Sequence, residues 1–195
     1  MKNNHQSPYL HTVLVGTVLL LSACIPSVHP FFTACDVVEE PRLLGAWRED
    51  DETWTFAPAG GGAMQLRIEQ SKKGRHGEFT AHLFKLKDQR FLDLVVRELK
   101  LPDQVGLVPA SLIAGHLLVR IHALEPELEL SFCDYEWLER YLLVHPAALA
   151  CRLERQKHDD GELGGALTAD TAALQAFVLA HLGDGELFGP VGQRS

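Results

Sequence analysis

The sequence predicts a mainly β fold of the α+β kind: an antiparallel β-barrel or a strongly curled sheet, finished by C-terminal helices. Three observations predict it. Apolar and polar residues alternate with period two from Leu43 to Phe132. Turn chemistry breaks that alternation at short intervals, and helical signals arrive only after Asp134. Six to eight short strands, each apolar on one side, bury that side by curling or closing.

The elements come in chain order. Thr53-Trp54-Thr55-Phe56 alternates and is expected to end at Pro58, before a flexible turn at Gly60-Gly61-Gly62. From Met64 to Gln70 the pattern is cleanest, with Met64, Leu66 and Ile68 on one face and Gln65, Arg67 and Glu69 on the other. Ser71 to Gly77 is a basic turn. Glu78–Leu86 and Phe91–Val96 form a hairpin, and a loop holding Pro102 and Pro109 comes after it. His116–Leu124 pairs with Glu127–Phe132 across Glu125-Pro126. On the first of these strands, Leu117, Val119 and Ile121 make the core face, which turns His116, Arg120 and His122 to water. Asp134 caps a helix from Tyr135 to Leu142, and Pro146 opens a second short helix, Ala147 to Gln156. His158 to Gly165 is a turn. Asp170 or Thr171 caps a last helix with Leu174, Phe177, Val178 and Leu182 on one stripe, ending at Gly183.

The start of the chain has a different character. Lys2 is followed by an uncharged apolar run, Thr12 to Leu21, of about ten residues, the size of a signal-peptide core and half of a membrane span. Pro26 and Pro30 bar its extension. Leu21-Ser22-Ala23-Cys24 comes next and resembles the lipobox of bacterial lipoproteins at all four positions. The resemblance implies that residues 1–23 are a signal peptide. It also implies that Cys24 is the lipid attachment site: a thioether-linked diacylglycerol on a new, further acylated (palmitate-type) N-terminus. Two or three acyl chains anchor lastingly where one holds marginally. Ile25, and not Asp, follows the cysteine; by similarity to enterobacterial sorting this implies the outer membrane, facing the periplasm or the cell surface.

On this basis residues 24–41 are a lipidated tether, 42–188 a single β-rich domain with late helices, and 189–195 a flexible tail. The 195 residues are 46% hydrophobic and carry a formal charge of −8. Loss of Lys2 with the signal peptide leaves 17 basic against 26 acidic residues, or −9. Such a chain suits one globular domain and argues against a nucleic-acid partner, which selects a basic face. With Cys24 acylated, Cys35, Cys133 and Cys151 remain in an oxidising compartment; one disulfide at most can form, and its pairing stays open.

Leu43-Leu44-Gly45-Ala46-Trp47 opens the strand region. A Gly-x-Trp at the first strand resembles lipocalins and other calycins, and the resemblance implies that Trp47 plugs the closed end of an up-and-down barrel. It further implies a ligand cavity or a partner-binding surface. The helices after Asp134 depart from that pattern.

Catalytic motifs are missing from the sequence: there is no Gly-x-Ser-x-Gly, phosphate-binding Gly-x-x-x-x-Gly-Lys, His-Glu-x-x-His or calcium loop. Glu49-Asp50-Asp51-Glu52 suits a solvated hairpin turn better than a calcium site. His82, His116 and His122 could meet across strands, but Arg120 between the last two opposes a cation there. No catalytic residue, metal ligand or cofactor is nominated. The expected function is a membrane-anchored, non-enzymatic binding domain for an apolar small molecule or an envelope protein. The alternative is an envelope hydrolase with an unrecognised active site. A solid barrel would leave only the partner form of the first.

Overall fold

The computed structural model describes residues 25–100, 115–155, 163–183 and 186–195. Cys24, the signal segment and the loop with Pro102 and Pro109 lie outside the described residues. The fold is mainly β, a nearly closed antiparallel eight-stranded sheet with two helices on its outside. The strands are β1 (Gly45–Glu49), β2 (Glu52–Gly60), β3 (Ala63–Gln70), β4 (Arg75–Leu86), β5 (Gln89–Lys100), β6 (His116–Ala123), β7 (Leu128–Phe132), β8 (Cys151–Arg155), β9 (Leu163–Leu167) and β10 (Gly192–Arg194). The helices are α1 (Tyr135–Val144) and α2 (Thr171–Ala180). No described helix is long and apolar enough to cross a membrane.

The large sheet runs β1-β2-β3-β4-β5-β6-β7-β10. It closes where Arg48 of β1 and Ser195, just past β10, exchange both backbone hydrogen bonds, at 2.7 and 2.9 Å. The register slips between Pro58 and Gly60, between Glu78 and Phe79, and between Ile121 and Ala123. Such irregularities sharpen the curl that closure needs.

Alternation then sorts the side chains. Trp54, Phe56, Leu66, Ile68, Leu83, Leu92, Leu94, Val119, Ile121, Leu128 and Leu130 fill the lumen, each at most 5% exposed. Eight strands enclose about as much space as such side chains occupy, so the interior is a packed core. At one mouth a 3-10 turn, Pro41–Leu43, drops the fully buried Leu43 onto this core.

A second apolar core lies outside the barrel. Phe84, Phe91 and Leu118 project outward from β4, β5 and β6 and are covered by Ile25, Phe31, Leu138, Leu142, Leu174, Phe177 and Phe188. The α1 cap is Asp134, whose side chain accepts from Trp137 N–H; Asp170 does the same for Ala173 N–H at α2.

Three stretches differ in kind from the sequence-based expectation, and three strands overrun it: β2 continues through Pro58 to Gly60, β4 begins at Arg75 inside the expected basic turn, and β5 runs from Gln89 to Lys100. The expected second helix over Ala147–Gln156 is the strand β8, and β9 begins at Leu163 inside the expected turn. Cys151 and Leu153 alternate with the exposed Arg152, and pairing with β9 above the second core favours that alternation over helix propensity. The expected tail at 189–195 contains β10, which pairs with β7 from Gly192↔Leu130 to Arg194↔Leu128. The expected tether is built into the domain from Ile25 onward: Val38 N–H bonds Leu83 O, and Lys85 N–H bonds Asp36 O. Burial of Ile25 and Phe31 stabilises that strap by about 1.5–3 kcal/mol each.

Candidate functional site

Two polar clusters and two surface depressions stand out. The first cluster closes the barrel at the β1–β2 turn, where Asp50 takes a positive φ of 51°. The four acids Glu49 to Glu52 are not all solvated there. Glu52 is buried, and its Oε1 accepts from Trp54 Nε1 at 2.7 Å and from Arg194 Nη2 at 2.9 Å, while Oε2 accepts from Gln70 Nε2 at 3.0 Å. Arg194 also pairs with Glu49 at 3.3 Å and lies 4.5 Å above the Trp54 ring. Burial pushes the Glu49 carboxyl above its ordinary pKa, against the pull of Arg194. A buried carboxylate is retained here because a guanidinium, an indole N–H and an amide all face it.

Trp47 stands directly opposite Trp54 across β1–β2 but is only half-buried, its Nε1 donating to Leu43 O at 2.9 Å. Leu43 and Trp54 are fully buried within the lumen core, against which Trp47 packs from β1. Gly45, two residues earlier, sits at φ 119°, where a side chain would be strained.

The second cluster lies on the outer face of the barrel. Asp93 has no exposed surface; its Oδ1 is 2.6 Å from His116 Nδ1, and its Oδ2 accepts from Phe31 N–H at 2.9 Å. His82 faces Asp93 across β4–β5 and stacks on Phe32 at 4.6 Å between ring centroids. Burial lowers the pKa of His82, Asp93 pulls it up and His116 pushes it down. Its Nδ1 is buried without a hydrogen-bond partner among the described residues. On β6, Leu117, Val119 and Ile121 face the lumen, as their alternation predicts, and His116, Arg120 and His122 lie on the other face. At His116, however, the strap covers that face; at the exposed His122, Nε2 lies 2.8 Å from Ser131 Oγ. These contacts position a strap. Both Asp93 oxygens are engaged, and Ser27, paired through its backbone with His116, is fully buried.

Among the described residues no group of three His, Cys, Asp or Glu could hold a metal ion. Cys35 is an exposed thiol, Cys133 a buried one and Cys151 a half-buried one. Burial raises the Cys151 pKa, which lowers its thiolate fraction and its reactivity.

The depressions are both open to solvent. One, of about 260 Å³, lies at the barrel mouth between Val38, Pro41 and Leu44 on one side and Pro58, Gly60–Gly62 and Met64 on the other. The other, of about 430 Å³, lies beside α1 and is lined by Asp134, Trp137, Arg140, Glu186, Phe188 and Pro190. Trp137 Nε1 donates to Glu186 there at 2.8 Å, and the ring stacks on Tyr141. Arg140 reaches into solvent, and Leu143 and Val144 at the end of α1 are 55% and 72% exposed.

Comparison of the chain with protein-family models, with curated proteins and with solved structures finds no match. The case for function therefore rests on these geometries and on the N-terminal sequence. The signal that could have exposed the closing cluster is the Arg near the chain's end, two residues after Gly192, but three residues carry no readable period.

Proposed function

We propose that this is a bacterial envelope lipoprotein, anchored through lipid on Cys24, whose domain binds an envelope protein on its outer surface without catalysis. The packed lumen carries the choice of partner over small apolar ligand. Trp54, Phe56, Leu66 and their neighbours occupy the space in which a barrel would hold such a ligand. The ridge of α1 supports the protein form: Trp137, Tyr141 and Arg140 are the residue types that dominate binding energy at protein interfaces. Exposed Leu143 and Val144 extend the ridge with apolar area.

Native mass spectrometry of the protein extracted from its own membranes tests this. The expected spectrum contains a complex with a second polypeptide, lost in Trp137→Ala and Arg140→Glu. A small lipophilic mass retained by the domain, unchanged in those variants, would restore the small-molecule form.

A further inference from the structure

We infer that the anchored domain has no free tether and lies directly on the bilayer, with the seam between β6 and β9 turned to the lipid. The inference rests on the lipoprotein reading and adds an orientation to it. Cys24 immediately precedes Ile25, which is 1% exposed in the second core. The next residues form a strand segment between two elements. Ser27 exchanges both backbone hydrogen bonds with His116, at 3.0 and 2.8 Å. On the other side Leu167 N–H bonds Pro26 O, and Val28 N–H bonds Leu167 O, both at 2.9 Å. A Cβ placed on Gly115 would fall 2.3 Å from Pro26 Cβ, so the segment is seated as closely as backbone allows. Phe31 N–H on Asp93, Thr171 Oγ1 on Pro30 O and Gln175 Nε2 on Phe31 O fix the chain just beyond the seam.

With Cys24 as the first residue, the chain between lipid and seam is one residue long, a reach of at most about 3.6 Å. A flexible tether over residues 25–41 would instead wander by about 20–25 Å. The occupant of the seam's outer side is therefore the headgroup layer. Val28, a valine left 44% exposed at the seam, is of the type that an interfacial position accepts.

Neutron reflectometry on the full acylated protein, in a supported bilayer of phosphatidylethanolamine and phosphatidylglycerol, reads the water layer between headgroups and protein. The comparison is a variant with twelve Gly/Ser residues inserted between Cys24 and Ile25. The wild type is expected to show no water layer, and the insertion to open one of about 20 Å. A layer of that thickness already present in the wild type would overturn the seating while leaving the anchor intact. A wild type that forms no protein layer would overturn the anchor, and the seating with it.

Discussion

Asp93 is a carboxylate without exposed surface, held by one side chain and one backbone N–H. Removing His116 leaves it buried with the Phe31 N–H alone. His116→Ala is therefore expected to lose about 2–3 kcal/mol in urea unfolding, and amide exchange at Phe31 is expected to accelerate more than at lumen residues. His82 supplies a pH dependence. Burial lowers its pKa below the ordinary 6.5, so the unfolded chain binds its proton more readily than the folded one. Its neutral form contributes stability above 6.5, and that contribution is lost as pH falls toward the lowered value. Asp93 and His116 are the charged or titratable groups acting on it. His82→Phe keeps a ring against Phe32, and its stability curve is expected to be flatter than wild type between about pH 7 and pH 5. An unchanged slope would remove His82 from the acid response. At this scale the sequence displayed the lumen well: Met64, Leu66 and Ile68 alternate as expected, and all are buried. It also placed Trp54 and Trp47 on strands, but did not show that Trp54 is the enclosed one or that Arg194, from the far end of the chain, lies over its ring.

Among the elements, β10 decides whether the sheet is open or closed. Its three residues pair with β7, while the adjoining Ser195 bonds Arg48. Arg194 locks the join by meeting Glu52 and Glu49 over Trp54. Arg194→Leu strands a buried carboxylate and is expected to lose about 3–5 kcal/mol in urea unfolding. Adding Glu52→Gln to it should recover part of that loss; strict additivity would contradict a coupled pair. Long elements with a sustained period were readable, and β3, β4, β5, β6, β7, α1 and α2 each appear within a few residues of expectation, apart from longer ends on β4 and β5. Short ones were not. Gly192–Arg194 offers no period, and Cys151–Arg155 follows a proline that suits a helix start equally well. Residues 25–41, rich in proline, resemble a linker because the strap's long-range hydrogen bonds run to β4, β5, β6, β9 and α2, while those within it are short local ones such as Asp36 N–H to Thr33 O.

Among the described residues the barrel is packed and a second core lies against one outer side, which leaves the outer surface for the proposed recognition. That arrangement was half legible. Period-two alternation announced a curled sheet, whereas the filling of the lumen depends on how bulky residues from eight strands meet. The proposed anchor rests on Leu21-Ser22-Ala23-Cys24 alone, and it sets the frame for both the proposed partner ridge on α1 and the proposed seating of the strap. Metabolic labelling with palmitate tests that frame most directly, comparing wild type with Cys24→Ala in the native host. Label is expected on the wild-type protein and none on the variant. An unlabelled wild type, or equal label on both, would contradict the anchor.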